Sequence, residues 1–141
     1  MKPLTDLTIE KVLRNFEFLG DWTERYRYII DLGKKLPPMD DALKTEESRV
    51  RGCQSQVWLV ASTDANSGGV SLLADSDAHI VRGLIAMLLV LYAGKTPEEI
   101  LAIDAKDVFG RLGLDQRLSP SRANGLFSIV GRIREFAQEA A

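Results

Sequence analysis

Residues 80–93 constrain this chain more than any other stretch. Ile80, Val81, Leu84, Ile85, Leu88 and Leu89 recur at helical spacing, and no charged residue interrupts the run from Leu84 to Ala93. A helix that is apolar nearly all round has to be covered on every side. The run is nevertheless well short of the roughly 20 residues that cross a bilayer. It therefore predicts a buried central helix with the remaining chain wrapped round it. Asp75-Ser76-Asp77 would cap its start and Gly94 would close its end.

The flanking patterns supply the cover. Ile9, Val12, Leu13 and Phe16 fall on one stripe of a first helix, with Thr8 as N-cap. Asp21 and Glu24 frame a capping box for a second helix that buries Trp22, Tyr26, Ile29 and Ile30. Gly33 would take the left-handed position after that helix, and Pro37-Pro38 prevents its continuation. Met39 to Ser48 is polar and weakly patterned, a loop with room for a short edge strand. Gln56–Ser62 and Val70–Ala74 have strand composition and flank the turn residues Thr63 to Gly69, which predicts an antiparallel hairpin. A lone hairpin is marginal in water, so a third strand or a helix must cover it. Thr96-Pro97-Glu98-Glu99 opens a further helix by capping box and proline. A short helix over Asp107–Leu112 ends at Gly113. Ser119-Pro120 starts the last helix, with Leu126, Val130, Ile133 and Ala137 facing inward. Helices, then strands, then helices predict an α+β fold, a small antiparallel sheet packed against helices. With 141 residues and no repeat or linker, the chain reads as one domain, 1–141.

Counts exclude several function classes. Lys and Arg number 18 against 20 Asp and Glu, a net charge of −2, without the basic excess of a general nucleic-acid binder. One cysteine and one histidine allow no intrachain disulfide and no Cys/His zinc site, so no metal is expected. Met1 to Asp6 lead into a polar stretch with no apolar signal region. A cytoplasmic location away from membranes is the expectation, and there a thiol stays reduced unless it is reactive.

Chemistry concentrates in Val50 to Trp58. Gly52 frees the backbone before Cys53, which falls where a loop enters a strand, outside any apolar run. Residue chemistry leaves two readings open, a buried structural cysteine and a presented nucleophile. An ordinary thiol pKa of about 8.5 leaves only ~3% thiolate at pH 7. Arg49 and Arg51, close in sequence, would raise that fraction. Arg122 stands in the first turn of the last helix, where the dipole disfavours a cation. It is either a solvated surface arginine or a group that meets an anion. His79, at the start of the central helix, has no spacing that ties it to Cys53, and it reads as solvent-facing. Gly68-Gly69 lacks the surroundings of a phosphate loop.

Several strings together resemble the SufE family of sulfur-acceptor proteins. These are Trp22 with Tyr26, Leu32-Gly33, Gly52-Cys53-Gln54-Ser55-Gln56-Val57-Trp58 and Asp75-Ser76-Asp77. Further along come Val81 with Gly83-Leu84, Thr96-Pro97, Leu114, and Leu118-Ser119-Pro120-Ser121-Arg122 with Gly125-Leu126. They run in family order over roughly residues 8–137. The resemblance implies a fold similar to the iron–sulfur scaffold proteins of IscU and NifU N-terminal type. It also implies an activity: Cys53 takes persulfide sulfur from a cysteine desulfurase of SufS or CsdA type, stimulates that enzyme, and passes sulfur toward the Suf cluster-assembly complex. Pyridoxal phosphate would belong to the desulfurase, with no cofactor on this chain. Gly52 and Gln54 would shape the cysteine loop. Asp77 and Arg122 would dock the partner or steady the sulfur anion.

The residue chemistry fits that role. Persulfide transfer resembles thiol–disulfide exchange and needs one nucleophile, whereas a cluster scaffold needs several cysteine ligands. A loaded persulfide must also be shielded from reductants. Cys53 is therefore expected to tuck against apolar surface at rest and swing out on docking, with Gly52 as hinge. The competing readings are a cysteine-dependent thiol peroxidase and a regulator that stimulates a desulfurase by contact alone.

Overall fold

The apolar run folds as helix α3 (His79–Tyr92), in which every residue from Gly83 to Tyr92 is buried. The computed structural model describes residues 7–141; residues 1–6, read above for the lack of a signal region, lie outside them. Two helices precede α3 in sequence, α1 (Ile9–Leu19) and α2 (Trp22–Gly33). Thr8 caps α1 by accepting from the Lys11 amide, and Val12 and Phe16 bury its inner stripe. Asp21 caps α2 through the Thr23 amide. The expected reciprocal bond from Glu24 does not form, because Glu24 pairs with Arg27 at 3.0 Å instead. Ile29 and Leu32 are buried in α2, whereas Trp22, Tyr26 and Ile30 are half-buried.

Gly33 departs from its expected left-handed role. It stays in α2, without a positive φ, and the chain leaves the helix through Lys34 in right-handed geometry. The glycine serves the crossing with α3. A Cβ there would lie 2.7 Å from the Gly83 amide nitrogen, and a Cβ on Gly83 only 2.2 Å from the Ile29 carbonyl oxygen. The two backbones touch, and α2 with α3 forms the most extensive helix pair of the fold.

Strands β1 (Val57–Thr63) and β2 (Val70–Ser76) form the antiparallel hairpin, in register from Val57↔Ser76 to Thr63↔Val70. β2 runs two residues further than its composition indicates. Asp75 and Ser76 are thereby drawn into the ladder opposite Trp58 and Val57, so the expected Asp75-Ser76-Asp77 cap is not made. Ala78 occupies the N-cap of α3 with no side-chain cap bond. Asp75 instead meets Lys44 at 3.3 Å and Arg82 at 3.2 Å, and Lys44 lies over the Trp58 ring. A short edge segment joins β1, where Arg49 bridges Trp58 and the Val50 and Leu59 amides donate to the Val57 and Ser48 carbonyls.

Beyond α3, Gly94 takes a positive φ and the Thr96/Glu99 capping box opens α4 (Pro97–Ala102). A short α5 (Ala105–Arg111) ends near left-handed Gly113. Ser119 caps α6 (Pro120–Ala140), which buries Leu126, Ile129, Val130, Ile133 and Ala137. No helix among the described residues is long and apolar enough to cross a membrane.

Candidate functional site

The pairing of Val50 with Val57 closes a tight connection over residues 51–56, with Cys53 at its crest. The polar, glycine-containing sequence cannot extend either strand, so the backbone bulges toward α6. Gly52 makes the bulge possible on two counts. Its φ is +88°, in the left-handed region, and a Cβ there would lie 2.7 Å from the Ser128 hydroxyl on α6.

That turn lays the thiol on the helix. Cys53 Sγ is 3.5 Å from the Gly125 carbonyl oxygen, a weak S–H···O contact. A Cβ at Gly125 would stand 3.4 Å from the sulfur, so the thiol rests on bare backbone. Around it is a cleft walled by Val81 and Leu84 of α3 and by Leu126 and Ile129 of α6, with Ser121 and Arg122 at the start of α6. Gln54 and Ser55 form its rim. Its inner volume is about 30 Å³.

The cleft sets the thiol's electrostatics. Burial pushes the Cys53 pKa above its ordinary value. This corrects the expectation that Arg49 and Arg51 hold it down. Arg51 turns outward to Glu46 at 3.2 Å, and Arg49 sits in the edge segment bridging Trp58. The thiol is half-covered, and its burial favours the protonated form.

The structure brings Cys53, Gln54 and Arg122 to one cleft, with Gly52 shaping the turn. Asp77 is not among the lining residues. Its carboxylate accepts from the Gln56 amide at 3.0 Å, and its own amide donates to the Gln56 carbonyl at 3.3 Å, which ties down the far end of the loop. His79 is exposed and also lies off the cleft. Sequence reasoning missed the floor. Gly125 and Ser128 are the small residues on which the loop lies, and their three-residue spacing on a helix was the available signal. Among the described residues no group of three or more His, Cys, Asp or Glu side chains could hold a metal ion.

Fold and site together define an α+β domain that offers one half-buried thiol on a short loop laid across its last helix. Residues 10–137 match the model of the SufE family, described as an Fe-S metabolism associated domain. The chain belongs to that family. Two rhizobial relatives, each described as an uncharacterized SufE-like protein, are similar over nearly their whole length. The one from Rhizobium meliloti (strain 1021) is 47% identical over 133 residues, covering 93% of this chain and 95% of the relative. The one from Rhizobium etli is 48% identical over 136 residues, covering 95% and 92%. The solution structure of a hypothetical protein from Thermus thermophilus superposes with a TM-score of 0.76. The match covers 94% of each chain at 24% identity, a likeness of fold.

Proposed function

We propose that this chain is a sulfur acceptor and carrier, loaded on Cys53 by a pyridoxal-phosphate-dependent cysteine desulfurase of SufS or CsdA type, which it stimulates. It delivers the sulfur for iron–sulfur cluster assembly by the Suf complex. The observation that carries this reading is the chain's single thiol, half-buried in an apolar-walled cleft between α3 and α6. The inner volume of about 30 Å³ compares with roughly 10–15 Å³ for one water on this measure. That space admits one added sulfur atom beside Cys53.

The loading step is redox-neutral. Cys53, deprotonated, attacks the terminal sulfur of the desulfurase persulfide. The S–S bond of the partner breaks, its cysteine leaves as thiolate, and a new S–S bond forms on Cys53. Delivery repeats the exchange, with Cys53 as leaving group. Because burial disfavours the thiolate, loading is favoured when the loop lifts from α6, and Gly52 is the residue whose backbone can rotate. On return, Arg122 and the positive end of α6 face the cleft from one side and favour an anionic sulfur. The same burial counts against peroxide chemistry, which uses exposed thiolates of low pKa.

Mass spectrometry after incubation with desulfurase and cysteine tests the reading. Added sulfur on Cys53 that is lost in C53S is the expected result. Stimulation of the desulfurase retained in C53S without any sulfur adduct would overturn it in favour of contact-only regulation. Rapid oxygen adducts with peroxide alone would overturn it in favour of a peroxidase.

A further inference from the structure

The edge segment upstream of Cys53 has an unusual partner. The Ser48 carbonyl and Val50 amide face β1, so the Arg49 carbonyl between them points the other way, as alternation along a strand requires, and the Glu47 carbonyl lies in the turn that leads into it. Carbonyls on such an edge ordinarily face solvent or another strand. Here both accept from one side chain, the Arg132 guanidinium of α6, with Nη1 at 3.0 Å from the Arg49 oxygen and Nη2 bonded to the Glu47 oxygen. Arg132 is half-buried, and Val50, Arg51, Ser128 and Glu135 surround the same groove. Its two bonds span more than eighty residues of sequence.

Arg132 also completes a stripe. Gly125, Ser128 and Arg132 stand at i, i+3 and i+7 on α6, one face of the helix. Gly125 carries the thiol, Ser128 lies under Gly52, and Arg132 holds the carbonyls just upstream. The downstream end is fastened by the paired Gln56–Asp77 bonds. Between the two fastenings only Arg51 to Ser55 are free of them.

We propose that Arg132 is a positioning residue for Cys53: by holding the Glu47 and Arg49 carbonyls on α6 it seats the cysteine loop on its cleft and confines loop movement to Arg51–Ser55. The planar guanidinium suits this task, because its fixed fork reaches two carbonyls at once, whereas a lysine ammonium is a single point of charge. The inference rests on reading Cys53 as the reacting group, but it does not require that the group carries sulfur.

The test follows alkylation of Cys53 by iodoacetamide between about pH 6 and pH 10 in wild type, R132A and R132K, with folding checked by circular dichroism. The single cysteine makes the mass readout unambiguous. Losing the clamp is expected to uncover the thiol and move the midpoint of the profile down. R132A alkylation at neutral pH should then rise by roughly threefold or more, the change in thiolate fraction that a drop of about 0.5 in pKa produces. R132K should lie between. Removing a nearby cation would by itself move the midpoint up, so the direction separates seating from simple electrostatics. An R132A profile superimposable on wild type, or shifted upward, overturns the proposal. Should R132A not fold, the same criteria apply to R132K. No desulfurase is present, so a variant that shows the downward shift while wild type accepts no sulfur keeps the clamp and discards the carrier function.

Discussion

At Cys53 two demands conflict, since a thiol must ionise to attack and must be covered to survive. The structure resolves them in favour of cover, with the sulfur on the Gly125 carbonyl and its pKa raised by burial. The sign of the pH dependence follows. Wild-type alkylation should titrate with a midpoint above that of the urea-unfolded chain. Because the folded thiol holds its proton more tightly, its contribution to stability is intact below the unfolded pKa and fades as pH rises through the folded one. Denaturant midpoints measured from neutral pH upward should therefore fall more steeply for wild type than for C53A. Gly52 offers a second check. G52A places a side chain at φ +88° and a Cβ 2.7 Å from Ser128 Oγ. The backbone alone should cost about 1–2 kcal/mol in denaturant unfolding, and S128G should recover only the steric part. The residues of this site were unequally legible in the sequence. Cys53 and Gly52 stand out because a thiol preceded by a glycine, outside any apolar run and just before a strand, is a conspicuous pattern. Gly125, Ser128 and Arg132 were hidden because they act by smallness or by reaching main-chain carbonyls, and neither act leaves a composition signal. Arg49 and Arg51 misled because closeness in sequence does not fix where a side chain goes: Arg51 turns outward to Glu46, and Arg49 sits in the edge segment beside Trp58.

Among the elements, helix starts were legible wherever one local bond decides them. The Thr96/Glu99 box and the Ser119 cap are complete within four residues. The start of α3 was not, because pairing with β1 claims Asp75 and Ser76, and tertiary structure overrides a good local cap. The α2–α3 crossing was equally hidden, since a glycine near a helix end reads first as a terminator. That crossing makes a sharp prediction. G83A drives a Cβ to 2.2 Å from the Ile29 carbonyl oxygen and 2.5 Å from its Cγ2, so helices must separate. Equilibrium unfolding should show a loss of about 3 kcal/mol or more. Gly131 on α6 is the contrasting case, with nothing within 4 Å of its would-be Cβ. G131A should gain about 1 kcal/mol through helix propensity alone, read by the same unfolding curve.

Over the whole molecule, α3 is enclosed by α2, the hairpin and α6, and its amides lie deepest in the core. Hydrogen exchange should find the slowest amides between Gly83 and Tyr92 and much faster exchange at Arg51–Ser55, which lack ladder partners. Equal protection of the two would contradict the division into a rigid frame and a movable loop. The same enclosure links two separate places. Gly83 touches α2, while Val81 and Leu84 on either side of it wall the thiol cleft opposite Leu126 and Ile129. The thickness of the α2–α3 contact therefore acts as a spacer for the compartment that holds the thiol. A methyl group added between α2 and α3 would shift one wall of the cleft in which the sulfur sits.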